Sequence, residues 1–538
     1  MNLKSNKLVF GVLLLLFVLS LTGCHTAYKK SNLKVFRYNE HSNISSLDPA
    51  FAKTLANTWV VNQLFNSLVQ LDDSLHIQPD VAKSWNISNQ GKTYTFKLRN
   101  DVYFHRHILF GIDSTRAVVA QDFTYSFNRL KDPKVASPGG WILQNVANYK
   151  AISDSVFQIN LKKAFPPFLG LLAMKYCSVV PKEAVDYFGD KFREHPIGTG
   201  PFKFKLWIEN TKLVFLKNTE YHEVDNQGYK LPYLDAVAIT FLPDKQSEFL
   251  QLIQGNLDYI TGLDPSYKDD IIDFNGHLNP RYANKLYMIS GPYLNTEYLG
   301  FLLDPKKKNA IQNINLRKAV NYGFDRKKMI RFLRNGIGTP AVNGIIPKGL
   351  PAFNNIKGYS FNPEKAKEYL KKYVAETGDR YPKIAINTDA TYLDLCEYIQ
   401  RELQKIGIEV AVDVNPPATL RQAKANGKLP VFRASWIADY PDAENYLSLF
   451  YSQYFAPNGP NYTHFNSPVF DKLYEQSFTM MPLKERYKLY RKMDSLVMAE
   501  APIVPLYYDQ VVRFVQKNVT GLEVNPINLL QLKWVNKN

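Results

Sequence analysis

At 538 residues the chain is about three to four times the size of a typical single domain, so it holds two or more domains or one elaborated fold. Its 45% hydrophobic and 21% charged residues, with 34 Tyr and 33 Phe, exclude disorder along the whole length, and 3 Cys exclude a small disulfide-stapled module. A formal charge of +17 raises nucleic acid or an anionic membrane as partners, and the spread of that charge has to decide between them and neither.

At the start, Lys4 and Lys7 precede an apolar run from Leu8 to Leu19, which closes on Leu21, Thr22, Gly23 and Cys24. Residues 1–23 read as a cleaved export signal, because the run is short for a bilayer span and no other segment is a longer uninterrupted apolar stretch. Leu-Thr-Gly-Cys resembles the bacterial lipoprotein box, which implies that Cys24 is acylated and becomes the mature first residue. Two or three acyl chains hold a soluble body at a membrane where one chain binds only reversibly. Residues 24–31 then form a lipidated polar tether.

Further along, Lys92 to Leu98 alternates polar and apolar residues, as a strand with one wet face does. His105 and His107 would share a face if extended, but no Cys or third His lies nearby, and the segment up to Ala120 reads as a surface loop without a metal. Cys177, in LLAMKYCSVV, and Cys396, in helical register with Tyr392, Ile399 and Leu403, read as buried packing residues. Gly198, Thr199, Gly200 and Pro201 interrupt the chain before a strand from Phe202 to Leu206, and Ala236 to Leu242 is another strand.

The densest basic runs, Lys306 to Lys308 and Lys327, Lys328, Arg331 and Arg334, read as solvated surface, the second as a solvated helical face, and not as a nucleic-acid patch, which requires basic and aromatic residues clustered on one surface. Asn362 caps a helix with Pro363 in its first turn and an apolar stripe of Ala366, Tyr369, Leu370, Tyr373 and Val374, ending before Gly378. A strand Lys383 to Asn387, a helix to Gly407, a strand Ile408 to Val414, a helix Leu420 to Asn426 and a strand Val431 to Trp436 follow. This order predicts an α/β lobe with a mainly parallel sheet.

Several segments together resemble the family 5 solute-binding proteins of ATP-driven importers, the oligopeptide- and dipeptide-binding proteins. They are SLDPAFA (Ser46 to Ala52), NQLFNSLVQLD (Asn62 to Asp72), QPDVAKSW (Gln78 to Trp85), GKTYTFKLRNDVYFH (Gly91 to His105) and AQDFTYSFNRLKDP (Ala120 to Pro133), then IGTGPFKF (Ile197 to Phe204), LRKAVNYGFDRKKMI (Leu316 to Ile330) and WIADYPDAENYL (Trp436 to Leu447). The resemblance spans essentially the whole mature chain. It implies an α/β fold of two lobes, of the class II periplasmic-binding-protein type, joined by two crossing strands. Lobe one would comprise 32–290 with an extra subdomain at about 76–175, lobe two 291–510, and residues 511–538 would return to lobe one. The segment from His105 to Val118 departs from the family pattern as an insertion.

The resemblance also implies the site. The aspartate of the W-x-x-D-Y segment, here Asp439, would pair with the α-amino group of a peptide, although by composition alone it is a turn residue in ADYPD. The peptide backbone would be held by strand addition between Asn43, Ile44 and Ser45 on one side and Ser435, Trp436 and Ile437 on the other. Trp436 and Tyr440 stand as pocket walls or as core packing, and Arg433 as the partner of the ligand carboxylate or as an ordinary surface arginine. Leu316, Ala319 and Val320 read as helix packing.

No G-x-S-x-G, H-E-x-x-H, P-loop or Rossmann glycine pattern is present, so the expectation is a binder and not an enzyme, with no cofactor and no metal. The expected protein is an extracytoplasmic, lipid-anchored monomer on a bacterial membrane, delivering peptide to an ABC permease, with no nucleic-acid partner. The alternatives are another solute, such as a nickel complex, haem or an oligosaccharide, and a surface hydrolase.

Overall fold

In the computed structural model, which describes residues 33–41, 44–264, 266–307, 309–479 and 482–538, two long neighbouring strands run through the middle of one large sheet. They are Leu286–Phe301 and Ile503–Gln516, paired antiparallel, with register shifts between Pro292 and Thr296 and again between Glu297 and Tyr298. From Leu294 to Phe301 every residue of the first is buried, so alternation disappears there as it does in any strand covered on both faces. Beyond Ile503–Gln516 lie Tyr259–Thr261, Val35–Asn39, Ala236–Thr240, Lys212–Lys217 and Phe202–Ile208; beyond Leu286–Phe301 lie Val431–Ile437, Lys383–Thr388 and Glu409–Val414.

The α/β order read from the sequence is present. Lys383–Thr388 pairs in parallel with Glu409–Val414 on one side and with Val431 and Phe432 on the other, and helices Leu393–Gln404 and Pro417–Ala425 make the crossovers. The second helix begins three residues before the expected Leu420, since Pro417 suits a first turn that needs no N–H. Helix Pro363–Thr377 has the expected caps: the Asn362 side chain accepts from Lys365 N, and Gly378 closes it at φ 74°.

A separate antiparallel sheet of Ala82–Ser88, Thr93–Leu98, Val156–Leu161 and Val146–Ser153 lies within 76–175. Tyr94, Phe96 and Leu98 point into the core, as the alternation of this segment requires, and helix Ala120–Lys131 covers that face with Phe123 and Phe127 against Phe157.

Hydrophobic packing divides the chain. One core is built from residues between Phe36 and Tyr259 together with Val515 to Val535, with Tyr440 packed onto it; two others draw almost wholly on residues between Leu294 and Tyr507. Hydrogen bonds fasten the returning segment to the first core: Trp59 Nε1 donates to Asn528 O at 2.7 Å, and Asn62 and Gln63 donate to Leu530 O at 2.9 and 2.8 Å. The expected divisions at 290 and 510 fall inside the two long strands.

The Gly-Thr-Gly-Pro break is a close approach. A Cβ on Gly198 would lie 2.0 Å from Leu64 O and one on Gly200 2.5 Å from Leu64 C, while Gly200 N donates to Leu64 O at 2.9 Å. Only glycine permits this contact with the end of helix Leu55–Leu64. No described helix is long and apolar enough to cross a membrane. The signal at 1–23, Cys24 with its tether, and Asn43 lie outside the described residues.

Candidate functional site

A cavity of about 550 Å³ opens between the first core and the segment that follows strand Val431–Ile437. Ile437, Ala438, Asp439 and Pro441 form one wall; Lys53, Asn66, Tyr176 and Lys533 are among the residues opposite. Its size falls within the roughly 300–1,000 Å³ of small-molecule sites.

Asp439 is held by Asn445. Asn445 Oδ1 accepts from Asp439 N at 3.2 Å and from Trp436 Nε1 at 2.8 Å, and Asn445 Nδ2 donates to the Asp439 carboxylate at 3.5 Å. The carboxylate is open to water on the cavity side, while the protein crowded behind it raises its pKa above the ordinary 3.8; the Asn445 amide works the other way. The same negative charge helps to push the Tyr176 hydroxyl, on the opposite wall, up to about 12, after the larger effect of burial.

The other expected residues are placed as follows. Ile437 lines the cavity and is 49% exposed. Ser435 and Trp436 lie half-buried on the strand, whose residues 431–437 pair with Leu286–Phe301 on one side, whereas only Val431 and Phe432 have a partner strand on the other. Tyr440 is buried, not on the cavity wall; its hydroxyl donates to Glu444 and its ring meets Phe165 edge-on at 6.1 Å. Ile44 is buried in the first core, and Ser45 is exposed, with its carbonyl accepting from Arg193 at 2.9 Å.

Arg433 is buried and engaged. Its guanidinium donates to the buried Glu297 carboxylate at 2.5 Å, lies 3.8 Å from Asp389, and stacks 3.1 Å from the centre of the Tyr392 ring. Burial raises the Glu297 carboxyl, and the neighbouring Arg433 charge opposes that.

At the cavity floor lies a polar cluster that local pattern does not reveal. Asp80 accepts from Asn66 Nδ2 at 2.8 Å and from Ser67 N at 3.0 Å; Asn66 is in turn held by Thr199 of the glycine break. Lys533 pairs with Glu223 at 2.5 Å and donates to Gln70 at 2.9 Å. Burial lifts Asp80 to about 6 and lowers Lys175 to about 8 and His222 to about 4. Asp80, His222 and Glu223 bring ligand-type atoms within 4.8 Å of one another, but the two carboxylates are already occupied by donors and two lysines stand close, which disfavours a cation.

A second cavity, of about 450 Å³, shares Tyr293 with the first and is lined by Arg334, Tyr392, Tyr507 and Asp509, with Arg334 donating to Asp509 at 2.6 Å. The two histidines of the insertion turn to different partners: His105 is buried against Gly198 N and Gly200 O, not on a surface loop as expected, and His107 caps the turn Ile108–Phe110. Cys177 and Cys396 are both buried and free, in different cores, and burial raises their thiols to about 12 and about 11.

Comparison with known proteins places this arrangement. The model of the bacterial extracellular solute-binding proteins, family 5 (middle), matches residues 76–458. The chain is similar to the glutathione-binding protein GsiB of Escherichia coli K12, 24% identical over 492 residues, covering 90% of this chain and 91% of that one. It is also similar to the dipeptide-binding protein of the same strain, 24% identical over 86% and 87% of the two chains. Among solved structures, the periplasmic binding protein DppA of Helicobacter pylori in complex with the peptide STSA aligns with a TM-score of 0.73 at 26% identity, over 94% of this chain and 98% of that one. HbpA2 of Haemophilus parasuis aligns with a TM-score of 0.82 at 23% identity, over 94% and 100%.

Proposed function

The chain belongs to the bacterial extracellular solute-binding proteins, family 5, and from that premise we propose that it captures peptides in the cavity beside Asp439 and delivers them to an ABC permease. It is a binding protein, not an enzyme, as its relatives are. The names of those relatives, a dipeptide binder, a glutathione binder and a structure holding a peptide, support peptide as the ligand class.

The observation that carries this reading is the Asp439 carboxylate at the end of a strand with an open edge. A peptide offers one feature common to every sequence at its start, an ammonium, and behind it a row of backbone donors and acceptors. The ammonium pairs with Asp439, where protein crowding makes a charge-assisted bond worth more than in water. The backbone lies along Arg433–Ile437, which has no partner strand on its second side among the described residues. Closure of the two cores about the long strands encloses the ligand, with residues 32–290 and 511–538 as one lobe and 291–510 as the other. The export signal and the acylation of Cys24 complete the proposal by fixing the protein outside the cytoplasm at a membrane.

Calorimetric titration tests it. Asp439→Asn is expected to weaken binding of a free peptide by about 2–5 kcal/mol, roughly 30- to 4,000-fold, and N-acetylation of the peptide to do the same to the wild type. Because the Asp439 carboxyl is raised, affinity declines on acidification earlier than an ordinary aspartate would dictate. Equal affinity for free and acetylated peptide would remove Asp439 from the site.

A further inference from the structure

Lys175 lines the Asp439 cavity from the opposite side and is 7% exposed, yet among the described residues its ammonium makes no hydrogen bond and no direct ion pair. The groups near it are already committed. Glu223 is bound by Lys533 and Gln70, and Asp80 accepts from Asn66 and Ser67; both favour the Lys175 charge only from a distance. Desolvation outweighs that help, which is why its pKa falls to about 8. The Lys175 residue is buried while its tip meets the cavity, and its three donors have no acceptor among the described residues. Lys53, on the same wall, is exposed, and its side chain also makes no hydrogen bond or ion pair among the described residues.

The cavity is therefore lined by a carboxylate on the segment Ile437–Pro441 and, from the first core, by an ammonium with no partner among the described residues, while Asp80 and Lys533, which also line it, are already paired. We propose that Lys175 receives a side-chain carboxylate of the ligand, over and above the α-carboxylate that every free peptide carries, so that the preferred ligand is an acidic peptide. A neutral amide would fill the same space and accept the same hydrogen bond but would leave the charge uncompensated. Discrimination between the two is the signature of the site. The inference rests on the peptide reading above and deepens it to a class, acidic peptides.

The test is titration calorimetry of the purified protein with trialanine in which each residue in turn is Asp or Asn. At one position or more, the Asp peptide is expected to bind about tenfold more tightly than its Asn counterpart, the ratio a charge-assisted contact adds over a neutral one. Lys175→Met is expected to reduce that ratio to within about twofold, the Asp peptides losing more affinity than their Asn counterparts, and Lys175→Arg to retain it. If the wild type binds all six peptides without an Asp preference, or if Lys175→Met keeps the preference, this inference is wrong and the peptide reading stands. If none of the six binds, the peptide reading falls and this one with it. The wild-type comparison decides even where the Met variant does not fold.

Discussion

Arg433 and Lys175 are both cations sunk in protein beside the cleft, and the molecule treats them in opposite ways. Arg433 has Glu297 at 2.5 Å and the Tyr392 ring beneath it; Lys175 faces an open cavity with no hydrogen-bond acceptor of its own among the described residues. A cation already neutralised by its own fold is part of the scaffold, and a ligand that reached it would have to compete with Glu297. One left without a partner at a cavity wall is free to answer to a ligand. Burial alone, which the two share, does not separate a structural charge from a recognising one. The partner does.

The strongest way to break this contrast is Glu297→Gln. It leaves the buried Arg433 guanidinium with Asp389, at 3.8 Å, as its remaining carboxylate neighbour, and the expected loss of stability in urea unfolding is up to about 3–5 kcal/mol. A loss below about 1 kcal/mol would mean that Glu297 does not hold Arg433, and the two cations would no longer differ in kind.

A third way of burying a charge sharpens the contrast, which is to neutralise it. Glu444 is 3% exposed and accepts from the hydroxyls of Tyr440 and Tyr474, and burial raises its carboxyl to about 7. An unfolded chain ionises this group near 4.5, so the stability associated with its neutral form is complete below that pH and is lost as pH rises through about 7. At about 1.4 kcal/mol per unit the loss is at most about 3.5 kcal/mol. The Glu444 share of stability should therefore fall between pH 5 and pH 7.5, against the opposite drift from buried His105 and His222, both lowered to about 4, and it is read as the difference in slope between wild type and Glu444→Gln. Asp494, buried and raised to about 7, contributes in the same sense and leaves a residual slope in the variant. An unchanged slope would assign the titration elsewhere.

The smallest expected effect concerns the floor beneath Lys175. Gly198→Ala sets a Cβ against Leu64 O, a backbone atom that cannot turn aside, and should cost about 1–3 kcal/mol in unfolding measurements. Because Asn66, which donates to Asp80, follows that helix end directly, ligand affinity should fall as well. A variant with normal stability and affinity would show that the glycine break does not set the cavity floor.

What the sequence made legible was whatever its local pattern carries. The alternating crossovers between Lys383 and Ile437, the caps at Asn362 and Gly378, and the strand Thr93–Leu98 follow from periodicity and turn chemistry over a few residues. Leu286–Phe301 was not read as one strand, because burial on both faces over Leu294–Phe301 erases alternation and brings polar Asn295, Thr296 and Glu297 inside. The partner of Arg433 lies 136 positions away, and no local signal announces it. Lys175 stands in an apolar stretch that reads as core, which it is; only the fold reveals that its tip meets a cavity. Asp439 was reached through the motif around it and lines that cavity, whereas Tyr440, one position on, turns inward.

The return of residues 515–535 to the first core has a consequence for the order in which the protein can be made. Trp59, Asn62 and Gln63 emerge from the ribosome early, but the carbonyls of Asn528 and Leu530 that receive their hydrogen bonds follow only after the whole second region has been synthesised. Until then the amino-terminal portion has an unsealed apolar flank and cannot reach its final packing. Maturation of the two halves is thereby tied to a single late event, and a chain cut short near residue 510 loses the half that was translated first.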